Sequence, residues 1–287
     1  MKIQVHDFNL EATLDSAQVF GFTKSEAGIY EGVLEGVPVK VWQEKEWLHL
    51  SLRAERSNLP MASWRSPRRP EGLLAKTVSQ YFDLDRDMDP VYEILSTDER
   101  LLKPFQTFRG LRIIRQNGWE ALAGFIISAN NNFKRIQGIW RNLSRSLSHD
   151  EYNFPLPEQI ASSSEAKLRE LGLGYRAPYL FQTAKFVAAN PEVLDRIRSA
   201  GYKEAKERVM AFPGVGEKVA DCVLLYGFQK YESFPVDVWI HRIVRKLYFR
   251  NRKMSERKIA EFGRKRWGHQ AGFVQQFLFH GARSGIL

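Results

Sequence analysis

Cysteine is almost missing from this sequence. The single one, Cys222, excludes a disulfide within the chain and any iron–sulfur or zinc site assembled from several thiolates. Long apolar runs are missing too. No stretch reaches the roughly 20 residues that span a bilayer, and the start, MKIQVHDFNLEATLDS, lacks the apolar centre of a signal peptide. A soluble, intracellular protein with no membrane partner is therefore expected, cytoplasmic by default. Acidic residues are outnumbered, 33 Asp and Glu against 43 Lys and Arg, for a formal charge of +10. That balance argues for a polyanionic partner. The excess is local, because from His241 to His269 eleven Lys and Arg stand against only Glu256 and Glu261. This run reads as a basic face for nucleic acid or, more plainly, as a solvated and self-repelling surface.

At 287 residues with 44% hydrophobic content, the chain can bury one large core or two modest ones, and two lobes are expected. Through about residue 60, apolar positions alternate with polar ones, as in Ile3 and Val5, then Val37, Val39 and Val41, then Leu48, Leu50 and Leu52. Glu31-Gly32 and Glu35-Gly36 supply turn chemistry. Period two predicts an antiparallel sheet with one buried face. Ser57 to Glu71, with Pro60, Pro67 and Pro70 among Arg65, Arg68 and Arg69, reads as a solvated linker. From about Leu73 the period becomes helical, with one stripe at Leu122, Phe125, Ile126 and Ala129 and another at Ile136, Ile139, Trp140 and Leu143. The expected fold class is α+β. An N-terminal antiparallel β-sheet lobe with linker and first helices occupies 1–105, and a mainly α-helical domain occupies 106–287.

The stretch richest in chemistry runs from Ala211 to Arg242, AFPGVGEKVADCVLLYGFQKYESFPVDVWIHR. A helical pattern ends near Met210, and a new amphipathic run begins at Glu217. Between them Phe212-Pro213-Gly214-Val215-Gly216 makes a tight connection, since proline fixes one backbone angle and glycine tolerates positive φ. This is a helix-hairpin-helix. Outward amides at Gly214, Val215 and Gly216, at the positive end of a helix dipole, suit a nucleic-acid phosphate. Lys218 falls in the first turn of the second helix, where the dipole disfavours a cation and favours a neutral, nucleophilic amine. It also reads as a solvated lysine touching phosphate. Asp237 follows Pro235 and precedes the apolar spacing Ile240, Ile243, Val244 and Leu247, the signature of an N-cap. Capping and catalysis are both open to it.

Three further segments carry alternatives. Asn130-Asn131-Asn132 resists helix and suits a cap or turn, or bonds to base edges. Leu168 to Arg176, LRELGLGYR, ends a helix with Gly174 at its C-cap and leaves an exposed Tyr-Arg pair, which either wedges into a base stack or packs under the loop. In the tail, Gln275 and Phe279 share one helical face and Val274, Phe277 and Leu278 another, and such aromatics are commonly core. Cys222, one turn beyond Lys218, reads as a small buried hydrophobe.

PGVGEKVADC followed by PVDVWIHR resembles the helix-hairpin-helix DNA glycosylase superfamily, and specifically its 8-oxoguanine glycosylase/lyase branch. The resemblance covers most of the chain, strongly from about Phe108 to Leu287. It implies a bifunctional repair enzyme, a monomer by default, that excises oxidised purine from double-stranded DNA and nicks the strand as an AP lyase. Lys218 would be the nucleophile and Asp237 would stabilise the positive charge developing on the sugar. Ala17, Phe20, Cys222, Trp239, Gln275 and Phe279 would surround the extruded base. Asn130 and Arg135 would meet the estranged base in SANNNFKRI, Tyr175 would fill the vacated space, and Arg176 would read the opposite base. No cofactor is required by the resemblance, no metal ligands are nominated, and a monovalent cation on hairpin carbonyls is allowed. Several relatives carry a cluster held by four cysteines, which the lone Cys222 excludes. This chain also departs from the pattern. Ala17 stands where the branch offers a glycine carbonyl to the protonated N7 of the lesion, and alanine keeps the carbonyl but disfavours positive φ. Gly21 replaces a common arginine, and Trp239 a usual histidine. Two rivals stay open: an alkylpurine glycosylase of the same fold, which needs no lysine, and a non-catalytic hairpin module, which would bind with steep salt dependence and cleave nothing.

Overall fold

The computed structural model describes residues 1–34, 36–52, 71–148 and 152–287, the side chains of 71–73 excepted. All of the expected proline-rich linker except Glu71 lies outside the described residues. Five antiparallel strands, β1 (Lys2–Gln4), β2 (Thr23–Lys24), β3 (Tyr30–Leu34), β4 (Val37–Glu44) and β5 (Trp47–Leu52), lie in the order β1-β5-β4-β3-β2. Alternation fixes the register, with Val41 opposite Leu50 and Gln43 opposite Leu48. Val39, Val41, Leu48 and Leu50 are buried, whereas Leu52, at the end of its strand, is 58% exposed. A short helix, α1 (Leu10–Leu14), follows β1, and α2 (Glu71–Tyr81) helps close the buried face of the sheet through Leu74 and Val78, joined by Phe82 and Ile114.

The rest of the chain is helical: α3 (Asp89–Thr97), α4 (Glu99–Thr107), α5 (Gly118–Ser128), α6 (Phe133–Leu147), α7 (Pro157–Ala161), α8 (Glu165–Leu168) and α9 (Ala177–Ala189) come first. They are followed by α10 (Val193–Ser199), α11 (Tyr202–Met210), α12 (Glu217–Phe228), α13 (Val238–Tyr248), α14 (Glu256–Trp267) and α15 (Ala271–Arg283). One continuous core runs from Met88 to Leu278, and Ala12 and Phe20 of the sheet lobe enter it. Helix α3, which precedes residue 106, and α4, which crosses it, share that core.

Two helices are buried more widely than periodicity implies. Around α5 pack α6, α9 and α12, so Ala121–Ile127 is buried on every side rather than along one stripe. Likewise α12 is buried from Val219 through Phe228, which corrects the amphipathic reading. Its one charged residue in that span, Asp221, is satisfied from α11 by the Tyr202 hydroxyl at 2.6 Å and Lys206 Nζ at 3.0 Å. A buried carboxylate is tolerated because it is paired and hydrogen-bonded, and the pair ties the two hairpin helices together. Among the described residues, no helix is long and apolar enough to cross a membrane.

Candidate active site and nucleic-acid interface

α11 ends at Met210 and α12 begins at Glu217, as the sequence implies. Between them Gly214 adopts φ +76°, and a β-carbon there would lie 2.5 Å from the Tyr179 ring. Conformation and close approach both demand glycine. Gly216 caps α12 with extended backbone and no side-chain bond, so the first-turn amides face outward for an anionic oxygen. Val215 is buried and anchors the turn, and its N–H donates to the Phe212 carbonyl at 3.2 Å, so the expectation of an outward amide fails at this residue because the turn itself uses it.

Lys218 is half-buried at the start of α12, its Nζ 5.7 Å from the centre of the Phe125 ring. Phe125 stacks on Tyr226 at 5.4 Å and meets Phe20 edge-on at 5.4 Å. The lysine thus stands over an aromatic floor to which both lobes contribute. One turn further along α12, Cys222 is buried beside it, and burial pushes the thiol up to about 11 although the lysine pulls the other way. A thiol that stays protonated at neutral pH is a poor nucleophile, which leaves the amine as the reactive group of the pair.

Asp237 caps α13, Oδ1 accepting from the Trp239 N–H at 3.1 Å and the Ile240 N–H at 2.9 Å. Burial raises its pKa, opposed by those amides and by the charge of Lys218. The preceding turn is held from α15, where Gln275 Nε2 donates to the Pro235 carbonyl at 3.1 Å. Gln275 Oε1 is buried with no partner among the described residues, an acceptor that a ligand N–H can satisfy. Phe279, one turn on, is half-buried. Trp239 is 38% exposed, with the Arg242 guanidinium 5.7 Å from its ring, so an aromatic surface stands at the rim.

A second cluster gathers where α5 gives way to α6. Asn132 caps α6 by accepting the Arg135 N–H at 2.9 Å, Asn131 Nδ2 donates to the Ile127 carbonyl at 3.1 Å, and Asn130 is exposed at φ +48°. Arg135 is exposed and reaches the Gly172 carbonyl at 3.4 Å, while Tyr175, 49% exposed, donates to the Ala129 carbonyl at 3.2 Å. The expectation of an exposed Tyr-Arg pair fails for its second member. Arg176 is only 2% exposed, donating from Nε to Ala129 O and from Nη2 to Asn130 O, both at 2.7 Å, and from Nη1 to Leu173 O at 3.4 Å. The physical reason is that carbonyls left over at the end of α5 need donors. Arg176→Met should therefore cost about 2–4 kcal/mol in urea denaturation, whereas Tyr175→Ala should cost no more than about 0.5 kcal/mol.

Comparison with known proteins decides the affiliation. The chain matches the 8-oxoguanine DNA glycosylase N-terminal domain over residues 1–122 and the HhH-GPD superfamily base excision DNA repair protein over 123–269. It belongs to the 8-oxoguanine glycosylase/lyase branch of the helix-hairpin-helix glycosylases. A probable N-glycosylase/DNA lyase of Methanothermobacter thermautotrophicus is 32% identical, covering 100% of this chain and 97% of its own. The Clostridium acetobutylicum 8-oxoguanine glycosylase/lyase, solved with double-stranded DNA containing cytosine opposite 8-oxoG, is 31% identical with TM-score 0.84, covering 100% of this chain and 99% of that one. A 3-methyladenine DNA-glycosylase of Archaeoglobus fulgidus, 23% identical with TM-score 0.77 over 100% of this chain and 99% of that one, shares the fold.

In this glycosylase Ala17 adopts φ +59°, so the left-handed conformation that alanine disfavours is present all the same. Gly21 faces the Trp140 indole, 3.2 Å from where its β-carbon would be. A cavity of about 770 Å³ on the sheet lobe, lined by Val5, Phe8, Lys24, Tyr30, Trp42 and Arg109 among others, holds none of the candidate residues, so volume is a poor guide here and side-chain chemistry a better one. Among the described residues no group of three or more His, Cys, Asp or Glu could hold a metal ion. Sequence reading missed Tyr226 of α12, which stacks on Phe125, and Gln276 of α15, whose Oε1 accepts the Tyr226 hydroxyl. The only signal was a polar atom inside an otherwise apolar run.

Proposed function

We propose that this glycosylase removes 8-oxoguanine from duplex DNA and nicks the strand through a lysine Schiff base. The observation that carries the reading is the junction of Lys218, Cys222 and Asp237 at the mouth of a phosphate-binding hairpin, over the Phe125–Phe20 floor. The hairpin amides and Asn130, Arg135 and Tyr175 would hold a bent duplex with the damaged purine extruded. The Lys218 amine attacks C1′, the C1′–N9 electron pair departs with the base, and the base takes a proton. The ionised Asp237 carboxylate offsets the positive charge developing on the sugar. The adduct loses a proton from nitrogen, whose lone pair then forms a protonated imine as the C1′–O4′ bond opens and O4′ takes a proton to become a hydroxyl. Removal of a C2′ proton then expels the 3′ phosphate, and water releases the lysine. Gln275, Phe279, Cys222 and Trp239 would receive the purine.

No step requires a redox cofactor. A monovalent cation at the hairpin would rest on main-chain carbonyls, of which that of Phe212 already accepts the Val215 N–H. We place the enzyme inside the cell, on DNA, as a monomer. The test is borohydride trapping on a duplex carrying one 8-oxoguanine opposite cytosine. A covalent adduct that forms with the lesion and not with an undamaged duplex supports the reading, and tight binding without an adduct overturns it in favour of a binding module or an alkylpurine enzyme.

The basic run extends the interface. Lys246, Arg250 and Lys253 are exposed and have no acidic partner among the described residues, in contrast to Arg257, which pairs with Glu261 at 3.1 Å. Replacing all three by alanine should lower the slope of log K against log salt by up to about 3, at about 0.9 for each phosphate no longer neutralised, in a fluorescence anisotropy titration.

A further inference from the structure

The left-handed Ala17 is held by a set of side chains from three parts of the chain. Arg283 Nη1 donates to the Asp15 carbonyl at 3.1 Å, Gln276 Nε2 to the Ser16 carbonyl at 2.9 Å, and Gln116 Nε2 to the Gln18 carbonyl at 2.6 Å. The side chain of Gln18 is itself fixed, donating to the Thr13 and Arg112 carbonyls at 2.9 and 2.8 Å and accepting the Ile114 N–H at 2.8 Å. In the run 15–18, therefore, the carbonyls on either side of Ala17 are satisfied. That of Ala17 receives no donor among the described residues, although the residue is partly buried. Gln276 is fully buried, and its Oε1 accepts the hydroxyl of Tyr226. Tyr226 stacks on Phe125, the ring beneath Lys218. A non-glycine residue at positive φ persists only where its surroundings over-determine it, and here the surroundings are wired to the lysine helix.

We infer that Gln276 is a positioning residue, strapped between Tyr226 of the lysine helix and the Ser16 carbonyl, that holds Ala17 in the left-handed conformation and so aims its free carbonyl at an N–H of the extruded base. Glycine would adopt that conformation without help; alanine needs the strap. The inference rests on the glycosylase reading, and its chemistry favours a purine that carries a proton on the atom facing the carbonyl over one that presents a lone pair there.

The test is a double-mutant cycle on the full chain between Gln276→Leu and Ala17→Gly, read by single-turnover excision of 8-oxoguanine and, separately, by nicking of a preformed abasic site, which offers no base to position. The expected result has three parts. Gln276→Leu lowers excision at least tenfold with Ala17 present, lowers it less than threefold in the Ala17→Gly background, and changes abasic-site nicking less than twofold in either. Equal losses in both backgrounds, or parallel loss of abasic-site nicking, would mean that Gln276 is only part of the core and would overturn the inference while leaving the glycosylase reading intact. A wild-type enzyme that nicks abasic sites but does not excise 8-oxoguanine would overturn both.

Discussion

Lys218→Gln is expected to abolish the borohydride-trapped adduct and to lower both base excision and abasic-site nicking by about 10³-fold or more, as removal of a covalent nucleophile does elsewhere. The substitution keeps a side chain of similar length at the half-buried first turn of α12, so DNA binding through the Gly214 and Gly216 amides should survive. A gel-shift titration would show affinity within a few-fold of wild type. If excision persisted without any adduct, the nucleophile would have to be water, and the alkylpurine rival would return. The neighbouring thiol supplies no rescue, because burial holds Cys222 at about 11, where thiolate is scarce at neutral pH.

The second large effect concerns Asp237. Asp237→Asn should lower excision by about 10²–10³-fold, the usual consequence of removing one preorganised electrostatic group, and should at the same time make the protein more stable. The sign follows from the pKa. Burial raises the carboxyl in the folded state above its unfolded value, so ionising it costs the native state. That cost is absent below the ordinary carboxylate pKa and complete above the raised one. Asparagine keeps the N-cap acceptor for the Trp239 and Ile240 amides without the buried charge. The variant should melt above wild type at pH 7.5, with the gap closing as pH falls towards 4. In wild type the acid limb of the single-turnover rate should lie above the ordinary carboxylate range and should be missing from Asp237→Asn. A variant that melts lower at pH 7.5 would show that the amides and Lys218 outweigh burial.

How much of this was legible before the fold is clear from particular residues. The hairpin could be read because its signals are local: Pro213, two glycines and the start of an apolar run at Glu217 lie within a few residues. Asp237 could be read as a cap for the same reason, and the sheet from the alternation of Val39, Val41, Leu48 and Leu50. What escaped depended on partners distant in the chain. Nothing near Arg176 states that the Ala129 and Asn130 carbonyls lack donors, so it read as exposed. Asp221 sits in an apolar run, and only Tyr202 and Lys206 on the preceding helix explain why it stays there. Ala17 was read by its intrinsic backbone preference, which tertiary hydrogen bonds from Gln276, Gln116 and Arg283 override. Phe125 was recognised as buried, but its place under Lys218 required knowing that α5 and α12 lie side by side. The site roles of Asn130, Arg135, Tyr175, Gln275 and Phe279 came from likeness rather than from local chemistry, which favoured caps and core.

The scarcity of cysteine has a consequence for where such an enzyme can work. Its one thiol is buried one turn beyond Lys218 and kept protonated, and peroxide attacks the thiolate, not the thiol. An agent that repairs oxidised guanine acts when oxidants are abundant, and this chain exposes no sulfhydryl through which they could switch it off or couple it to another protein.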